Sequence, residues 1–432
     1  MDLTALSVLG FAIMLVLILS KVHIAFALGA VGLAGLWYII GPNALAVLKT
    51  IPWAHTAKFE LAVLPLFILM GMFIVSSGVA VQLFEAASKW FGNIRGGLLI
   101  ATTVSVGLFG ACSGSSIAAA TTFTMLALPR LLEHKYDPGL SGGAIAASGT
   151  QAALIPPSAL LVFYGILTEL SIGKLLVAAV IPGIISVLLY MAAVWATLLI
   201  FPEKGPGRIA YTYREKFMSM KGVWPIPVIF VVMIGGLFFG IFTPSEAGAI
   251  GAISALAVAL ITVGWRKSGF FSALKESAHA SAMIFIILLG AFVFAKFIAV
   301  TKVPNNIAEF LANLNASAVM ILIVILFIYL LLGCVLDAVG MIALTVPVIY
   351  PIIELLGING IWFGILLVKV VEIGLITPPI GINVFVVKGV AGPHLEIGQL
   401  FKGIIPFLIA DVVTIVILLA FPGLVLWLPS FM

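Results

Sequence analysis

The chain has 432 residues, of which 63% are hydrophobic and only 9% charged, and it carries a formal net charge of +5. Soluble domains run near about 45–50% apolar and about 25% charged residues, so a water-soluble globule is excluded. Apolar runs long enough for helical spans of about 20 residues, with no alternating pattern of the barrel kind, define an all-α polytopic membrane protein. The two cysteines, Cys112 and Cys334, both lie inside apolar runs, which argues against a disulfide framework or a metal cluster.

In chain order, spans are predicted near residues 3–20, 22–40, 60–79, 139–167 and 174–201. A second set is predicted near 223–241, 245–264, 277–300, 358–387 and 401–428. Leu3–Ser20 reads as the first span and not as a cleavable leader. Two further apolar segments, about 97–133 and about 315–352, each contain a glycine-rich break and are predicted to be re-entrant hairpins that enter and leave on one side. Residues 203–222 form the only long polar stretch and serve as a linker. Its basic and aromatic mix fits either a helix on the anionic inner leaflet or a solvated connector. Thr243-Pro244-Ser245-Glu246 has capping-box spacing with proline at the first helical position, which predicts a helix start there.

The chain repeats itself. At an offset of 222 residues Cys112 falls on Cys334, Pro129 on Pro351, Gly142 on Gly364, and Pro156-Pro157 on Pro378-Pro379. Later matches drift by two or three positions, as with Ile181-Pro182 and Ile405-Pro406. The expected organisation is therefore a first repeat over 1–202, the linker, and a second repeat over 223–432. With each hairpin returning to its own side, a half crosses the membrane five times, and an odd number inverts the second half. With the N-terminus outside, 15 of the 21 basic residues share one face; Lys49, Lys58, Lys174 and Lys302 take the other, and Lys296 and Lys369 lie within spans. The positive-inside rule makes the rich face cytoplasmic and puts both termini on the opposite side.

Proline pairs within spans point to the chemistry. Pro156-Pro157 strips helical partners from the carbonyls of Ala152 and Ala153, and Pro378-Pro379 does the same to Gly374 and Leu375. Each helix is thus expected to be broken, and irregular backbone at membrane depth survives only where it lines a cavity or is covered by protein. Freed carbonyls are suited to a hard cation such as Na⁺, and the N-terminus of the restarting half-helix to an anion. The hairpin tips face these breaks in the repeat. The first tip, Gly110-Ala-Cys-Ser113-Gly-Ser115-Ser116, offers small residues, hydroxyls and exposed N–H groups. The second places Asp337 where the first has Ser115. A carboxylate at the bilayer centre costs about 2.5–3.5 kcal/mol on insertion scales, so Asp337 is expected to meet a cation, a proton or backbone donors. Glu372 stands three residues after Lys369 on one helical face, which suggests a local ion pair. Asp411 is either a packing residue or part of an ion path. No phosphate loop, nucleotide motif or nucleophile elbow is visible, so uphill transport must draw on an ion gradient or a partner. An intramembrane enzyme with Asp337 and Glu372 as its acid/base pair is disfavoured, since the first repeat has no paired acid.

With these residues the chain resembles the large membrane subunit of the tripartite ATP-independent periplasmic (TRAP) transporters, the DctM-like group. The likeness rests on Phe242-Thr-Pro-Ser-Glu-Ala247, Ser113-Gly114-Ser115, Gly149-Thr150 with Leu154-Ile-Pro-Pro-Ser158, Asp337 with Gly340-Met341, and Gly374-Leu-Ile-Thr-Pro-Pro-Ile-Gly381-Ile-Asn383. The resemblance implies an elevator-type member of the ion transporter superfamily, not an enzyme, importing organic acids such as dicarboxylates or sialic acid. It also implies Na⁺ as the coupling ion with no other cofactor and no transition metal. The implied partners are a separate small four-helix (Q-type) membrane subunit and a periplasmic substrate-binding protein, in a lipid bilayer and without nucleic acid. One cation site would use Ser113, Ser115, Ser116, Gly149, Thr150, Ala152, Ala153 and Pro156. The other would use Gly333, Asp337, Gly340, Gly374, Thr377 and Pro378. Ser115, Ser158, Asp337 and Asn383 would contact the substrate. Gln151-Ala152-Ala153 departs from the more apolar, glycine-containing run expected there. The alternative is a stand-alone divalent anion/Na⁺ symporter of the same architecture.

Overall fold

The computed structural model describes residues 3–206, 210–313 and 317–432. Arg208, counted above toward the basic face, and residues 315–316 at the start of the second hairpin segment lie outside these. Among the described residues every regular element is helical. The first half comprises α1 (Leu3–Leu19), α2 (Ile24–Ile40), α3 (Ala44–Thr56), α4 (Val63–Ser76), α5 (Val79–Phe91), α6 (Gly97–Ser113), α7 (Ser116–Leu126), α8 (Leu128–Glu133), α9 (Pro138–Gly149), α10 (Ala159–Thr168), α11 (Ile172–Ala178) and α12 (Val180–Ile200). The linker holds α13 (Tyr213–Ser219). The second half comprises α14 (Pro225–Phe238), α15 (Pro244–Val263), α16 (Phe270–Thr301), α17 (Val303–Asn313), α18 (Ala318–Gly333), α19 (Ala338–Leu355), α20 (Gly360–Gly374), α21 (Ile382–Ala391), α22 (Ile397–Ala420) and α23 (Gly423–Leu426).

Seven of these helical stretches are long and apolar enough to cross a membrane, or eight if the pair Tyr213–Gly222 and Pro225–Phe238, bent by 60°, counts as one. That is fewer than the ten predicted crossings. The proline breaks divide residues 139–167 and 358–387 into shorter helices, and α1 has only 17 residues. Helices also form where no span is predicted, over α3, α5 and α17. In α5 the buried positions Val79, Ala80, Leu83, Phe84 and Ala86 follow helical spacing while Glu85 is exposed, so only one face is apolar and hydropathy alone misses it. Glu246 does what its spacing predicts: its carboxylate accepts from the Thr243 N–H at 2.8 Å, and Thr243 Oγ1 accepts from the Glu246 N–H at 3.3 Å.

Helix starts recur at the sequence offset. Ser116 opens α7 and Ala338 opens α19, 222 positions apart, as are Pro138 opening α9 and Gly360 opening α20. The two halves interlock: α2 packs on α16, α4 on α15, α7 on α21, α10 on α19, and α9 on α22. The linker helix is pinned to the first half. Trp90 Nε1 donates to the Lys216 carbonyl at 3.1 Å and stacks edge-on against Phe217.

Close helix approach replaces the hydrophobic drive that lipid cannot supply, and it requires small residues. A Cβ on Gly290 of α16 would lie 2.4 Å from the Ala25 carbonyl oxygen of α2. One on Gly403 of α22 would lie 1.9 Å from the Gly139 carbonyl oxygen of α9. Gly403→Ala therefore forces α9 and α22 apart and is expected to cost about 1–3 kcal/mol. Gly398→Ala in the same helix, where nothing lies within 4 Å, should leave the thermal unfolding midpoint in detergent unchanged.

Candidate ion and substrate site

The site is built where each hairpin tip meets a helix break. Gly114 ends α6 in the left-handed conformation at φ 65°, which turns the chain so that Ser115 can cap α7. Ser115 Oγ accepts from the Ala118 N–H at 3.2 Å, and at the equivalent position of the second tip Asp337 Oδ2 accepts from the Gly340 N–H at 2.9 Å. Both residues satisfy orphan donors of a restarting helix, and the aspartate adds negative charge at its positive end. The tips press onto the breaks through backbone. A Cβ on Gly374 would fall 2.6 Å from Gly333 Cα, and one on Gly110 would fall 2.7 Å from Ala152 Cβ.

The breaks sit where the prolines place them. α9 runs into a 3₁₀ turn, Thr150–Ala153, before α10 restarts behind Ser158, and α20 ends at Gly374 before α21 restarts behind Gly381. Both Pro-Pro peptides, 156–157 and 378–379, are cis. Three of the four carbonyls expected to be free have found donors. Ser158 Oγ donates to the Ala153 carbonyl at 2.5 Å, the Thr377 N–H to that of Gly374 at 3.1 Å, and the Asn383 N–H to that of Leu375 at 3.0 Å. Unsatisfied backbone away from water is too costly to leave open, yet each carbonyl keeps a second lone pair for a ligand.

Between the tips lies a cavity of about 170 Å³ bordered by Ser115, Ser116, Ala153, Asp337 and Glu372 among others. No lysine or arginine among the described residues borders it. Of the sequence-predicted residues, Ser115, Ser116, Ala153 and Asp337 are thus brought together. The others surround the breaks. Ser113 Oγ donates to the Gly110 carbonyl at 3.2 Å, and Thr150 Oγ1 to that of Ala147 at 2.7 Å. Ala152 lies under Gly110, while Gly149 faces the Ser116 carbonyl and Asn383 Nδ2. Gly333 abuts Gly374, Gly340 donates to Asp337, and Thr377 Oγ1 donates to the Ile373 carbonyl at 2.7 Å.

Three placements differ from expectation. Ser158, with its hydroxyl engaged by its own helix start, and Asn383, whose Nδ2 donates to the Ala146 carbonyl at 3.4 Å, are wholly buried beside the first break and do not border the tip cavity. Pro156 is buried against a separate apolar cavity of about 330 Å³, whereas Pro378 is exposed. Asp337 is itself exposed, and the buried acid of the cavity is Glu372, at 2%. A larger cavity of about 480 Å³, between α14 and α15, lies away from both breaks.

The expected Lys369–Glu372 pair does not form. Lys369 Nζ lies 2.6 Å from Asp411 Oδ1 and donates to Ser186 Oγ at 2.8 Å, and Tyr190 OH donates to Asp411 Oδ2 at 2.8 Å. Lys369, Asp411, Ser186 and Tyr190 are all essentially inaccessible, so α20, α22 and α12 are tied together by one desolvated cluster. Asp411 is thereby tied into the packing of the core. Removing one member of a buried pair costs about 3–5 kcal/mol, whereas replacing both by apolar groups is often neutral. Lys369→Met should lower unfolding stability in detergent by that amount, and Lys369→Met combined with Asp411→Leu should recover most of it.

A helical membrane protein whose two tips close on two broken helices around a partly open cavity that carries Ser115, Ser116, Asp337 and Glu372 belongs, by architecture, among membrane transporters. The likeness to a solved transporter, YdaH of Alcanivorax borkumensis, described as having an unusual topology, is one of fold: TM-score 0.65, 15% identity, covering 89% of this chain and 90% of that one. The family model for the DctM component of tripartite ATP-independent periplasmic transporters matches residues 11–424, and the chain belongs to that family. It is 32% identical over 407 residues to the C4-dicarboxylate TRAP transporter large permease protein DctM of Pseudomonas aeruginosa, covering 93% of this chain and 94% of that protein. It is 30% identical to the sialic acid TRAP transporter large permease protein SiaM of Vibrio cholerae, covering 86% and 87%. It is also 30% identical to the isethionate TRAP transporter permease protein DctMQ of Oleidesulfovibrio alaskensis, covering 90% of this chain and 61% of that longer protein.

Proposed function

We propose that the chain is the large transmembrane subunit of a Na⁺-coupled importer of organic acids that takes its substrate from a periplasmic binding protein. The observation that carries this reading is the pairing of each hairpin tip with a helix break, Gly110 on Ala152 and Gly333 on Gly374, around one cavity. Ser113, Ser115 and Ser116 with the backbone of Gly149, Thr150, Ala152, Ala153 and Pro156 form the first Na⁺ site. Asp337, Thr377 and the backbone of Gly333, Gly340, Gly374 and Pro378 form the second. The substrate carboxylate sits between the tips, facing the Ser115 hydroxyl and the N-termini of α7 and α19, which supply partial positive charge in a cavity without basic residues. Ser158 and Asn383 shape the wall behind it.

The hairpins and broken helices, with α12 and α22, form the mobile transport unit. The interlocked α2, α4, α15 and α16 form the scaffold past which it slides in an elevator movement. The two halves lie inverted in the inner membrane with both termini periplasmic, as the placement of basic residues supports. A small four-helix subunit completes the scaffold, a partnership supported by the DctMQ relative, which extends well beyond the part this chain matches.

In proteoliposomes carrying the chain with its small subunit and binding protein, an imposed Na⁺ gradient should drive uptake of a carboxylate substrate. Ser115→Ala and Asp337→Ala should each raise the Na⁺ concentration needed for half-maximal uptake by about tenfold or more. Full Na⁺-driven uptake by both variants would sink the assignment, and uptake by the chain alone would favour a stand-alone anion/Na⁺ symporter.

A further inference from the structure

The two helix starts at the cavity are equivalent by the repeat but not in charge. At α7 the cap is the neutral Ser115, so the positive end of that helix is left to face the cavity. At α19 the cap is Asp337, whose carboxylate takes the Gly340 N–H at 2.9 Å and offsets the dipole with a full negative charge. Glu372 borders the same space, and whether ionised or protonated it brings no positive charge. Lys369, one turn before it on α20, is held by Asp411 at 2.6 Å and by Ser186. No lysine, arginine or histidine among the described residues borders the cavity. A desolvated anion without a partner is strongly disfavoured, so there is one place for a carboxylate and none for a second. The rest of the wall is apolar. Ile117, Leu160, Val339, Leu375 and Ile382 line it, and Ser115 and Ser116 supply its only side-chain hydroxyls among the described residues. A polyhydroxylated acid would leave most of its own hydroxyls unpaired there, at a cost of about 1–3 kcal/mol for each one buried. The volume of about 170 Å³ lies below the range of about 300–1,000 Å³ usual for ligand pockets, which leaves room for only a few carbon atoms.

We infer that the substrate of this chain is a small monocarboxylate with a short apolar body, its carboxylate at the N-terminus of α7 against Ser115 and its body against the aliphatic wall, and that dicarboxylates and polyhydroxylated acids are rejected. This rests on the organic-acid import reading above and narrows its substrate. Charge balance leads to the same class. A Na⁺ at the second break is already matched by Asp337, whereas the first break and its tip are built from neutral groups, so only there does positive charge remain for an incoming anion. The five aliphatic side chains come from both halves, Ile117 and Leu160 from the first and Val339, Leu375 and Ile382 from the second, so the body of the acid is enclosed by both tips and both restarting helices.

The test is thermal unfolding of the full chain, purified in detergent with its small subunit, at fixed Na⁺ and constant ionic strength, while 3-methylbutanoate, succinate or N-acetylneuraminate is titrated. No binding protein is present, so the response reports the membrane cavity alone. The wild type should be stabilised by 3-methylbutanoate at a concentration about tenfold or more below that needed of either other acid. S115A should weaken that response. I117K, at a wall position that is 47% exposed and so tolerant of substitution, adds the missing positive charge and should lower the succinate midpoint by about tenfold. Stabilisation of the wild type by succinate or N-acetylneuraminate as readily as by 3-methylbutanoate overturns the monocarboxylate assignment and leaves the substrate site standing. An I117K protein that melts normally yet gains nothing toward succinate overturns the charge argument in the same way. No response of the wild type to any of the three acids overturns both the assignment and the site it rests on.

Discussion

Backbone that leaves the helix inside a membrane protein must find its hydrogen bonds within the protein, and the rest of this structure is arranged around that constraint. Two proline pairs end α9 and α20 within spans that the sequence would otherwise carry across, and the neighbourhood responds in the same way twice. A side chain or N–H following the break turns back to claim a carbonyl, as Ser158 does for Ala153 and Asn383 for Leu375. A glycine-bearing hairpin then covers the irregular segment from outside. The hairpin in turn needs a cap for its own restarting helix, and Ser115 and Asp337 supply it. The cavity is what these requirements leave: a place where several helix ends converge and where not every oxygen is used.

Much of this was legible because prolines, glycines and capping residues act locally. The breaks, the tips and the helix start at Thr243 follow from spacing, and the duplicated positions of the proline pairs make the correspondence between halves visible in the sequence itself. What was hidden depended on contacts between distant segments. Lys369 and Glu372 share a helical face in the sequence, so a local pair was the economical reading. It failed because α12 and α22 bring Ser186, Tyr190 and Asp411 to Lys369, and a desolvated lysine gains more from a bidentate polar nest than from one neighbour in its own helix. Asp337 drew attention as an acid in an apolar run, yet its exposed position at the tip makes it a cap, and the acid that is sealed in is Glu372. Helix α5 escapes a hydropathy reading for a different reason, since hydropathy averages over faces that the fold treats separately.

The repeat is imperfect in ways that matter chemically. Pro156 and Pro157 are covered while Pro378 and Pro379 lie at the surface, and Gln151 in the first break is wholly buried where the second has Ile373. Neither Gln151 side-chain heteroatom has a partner in the described structure. Buried polar groups in that condition weaken the local fold unless something else meets them. The two breaks therefore differ in polarity and in access, although their backbones follow one plan.

The interlocking of halves has a further consequence. α2 and α4 of the first half pack on α16 and α15 of the second, and α7 and α10 pack on α21 and α19, so several of the most extensive helix packings join one half to the other. Between separate chains, an interface of that kind would form only to the extent that protein concentration allowed. The linker of residues 203–222 turns it into an intramolecular event at an effective concentration that, for short tethers, reaches the order of millimolar. Held to α5 by Trp90, it makes assembly of the two halves independent of how many copies the membrane contains.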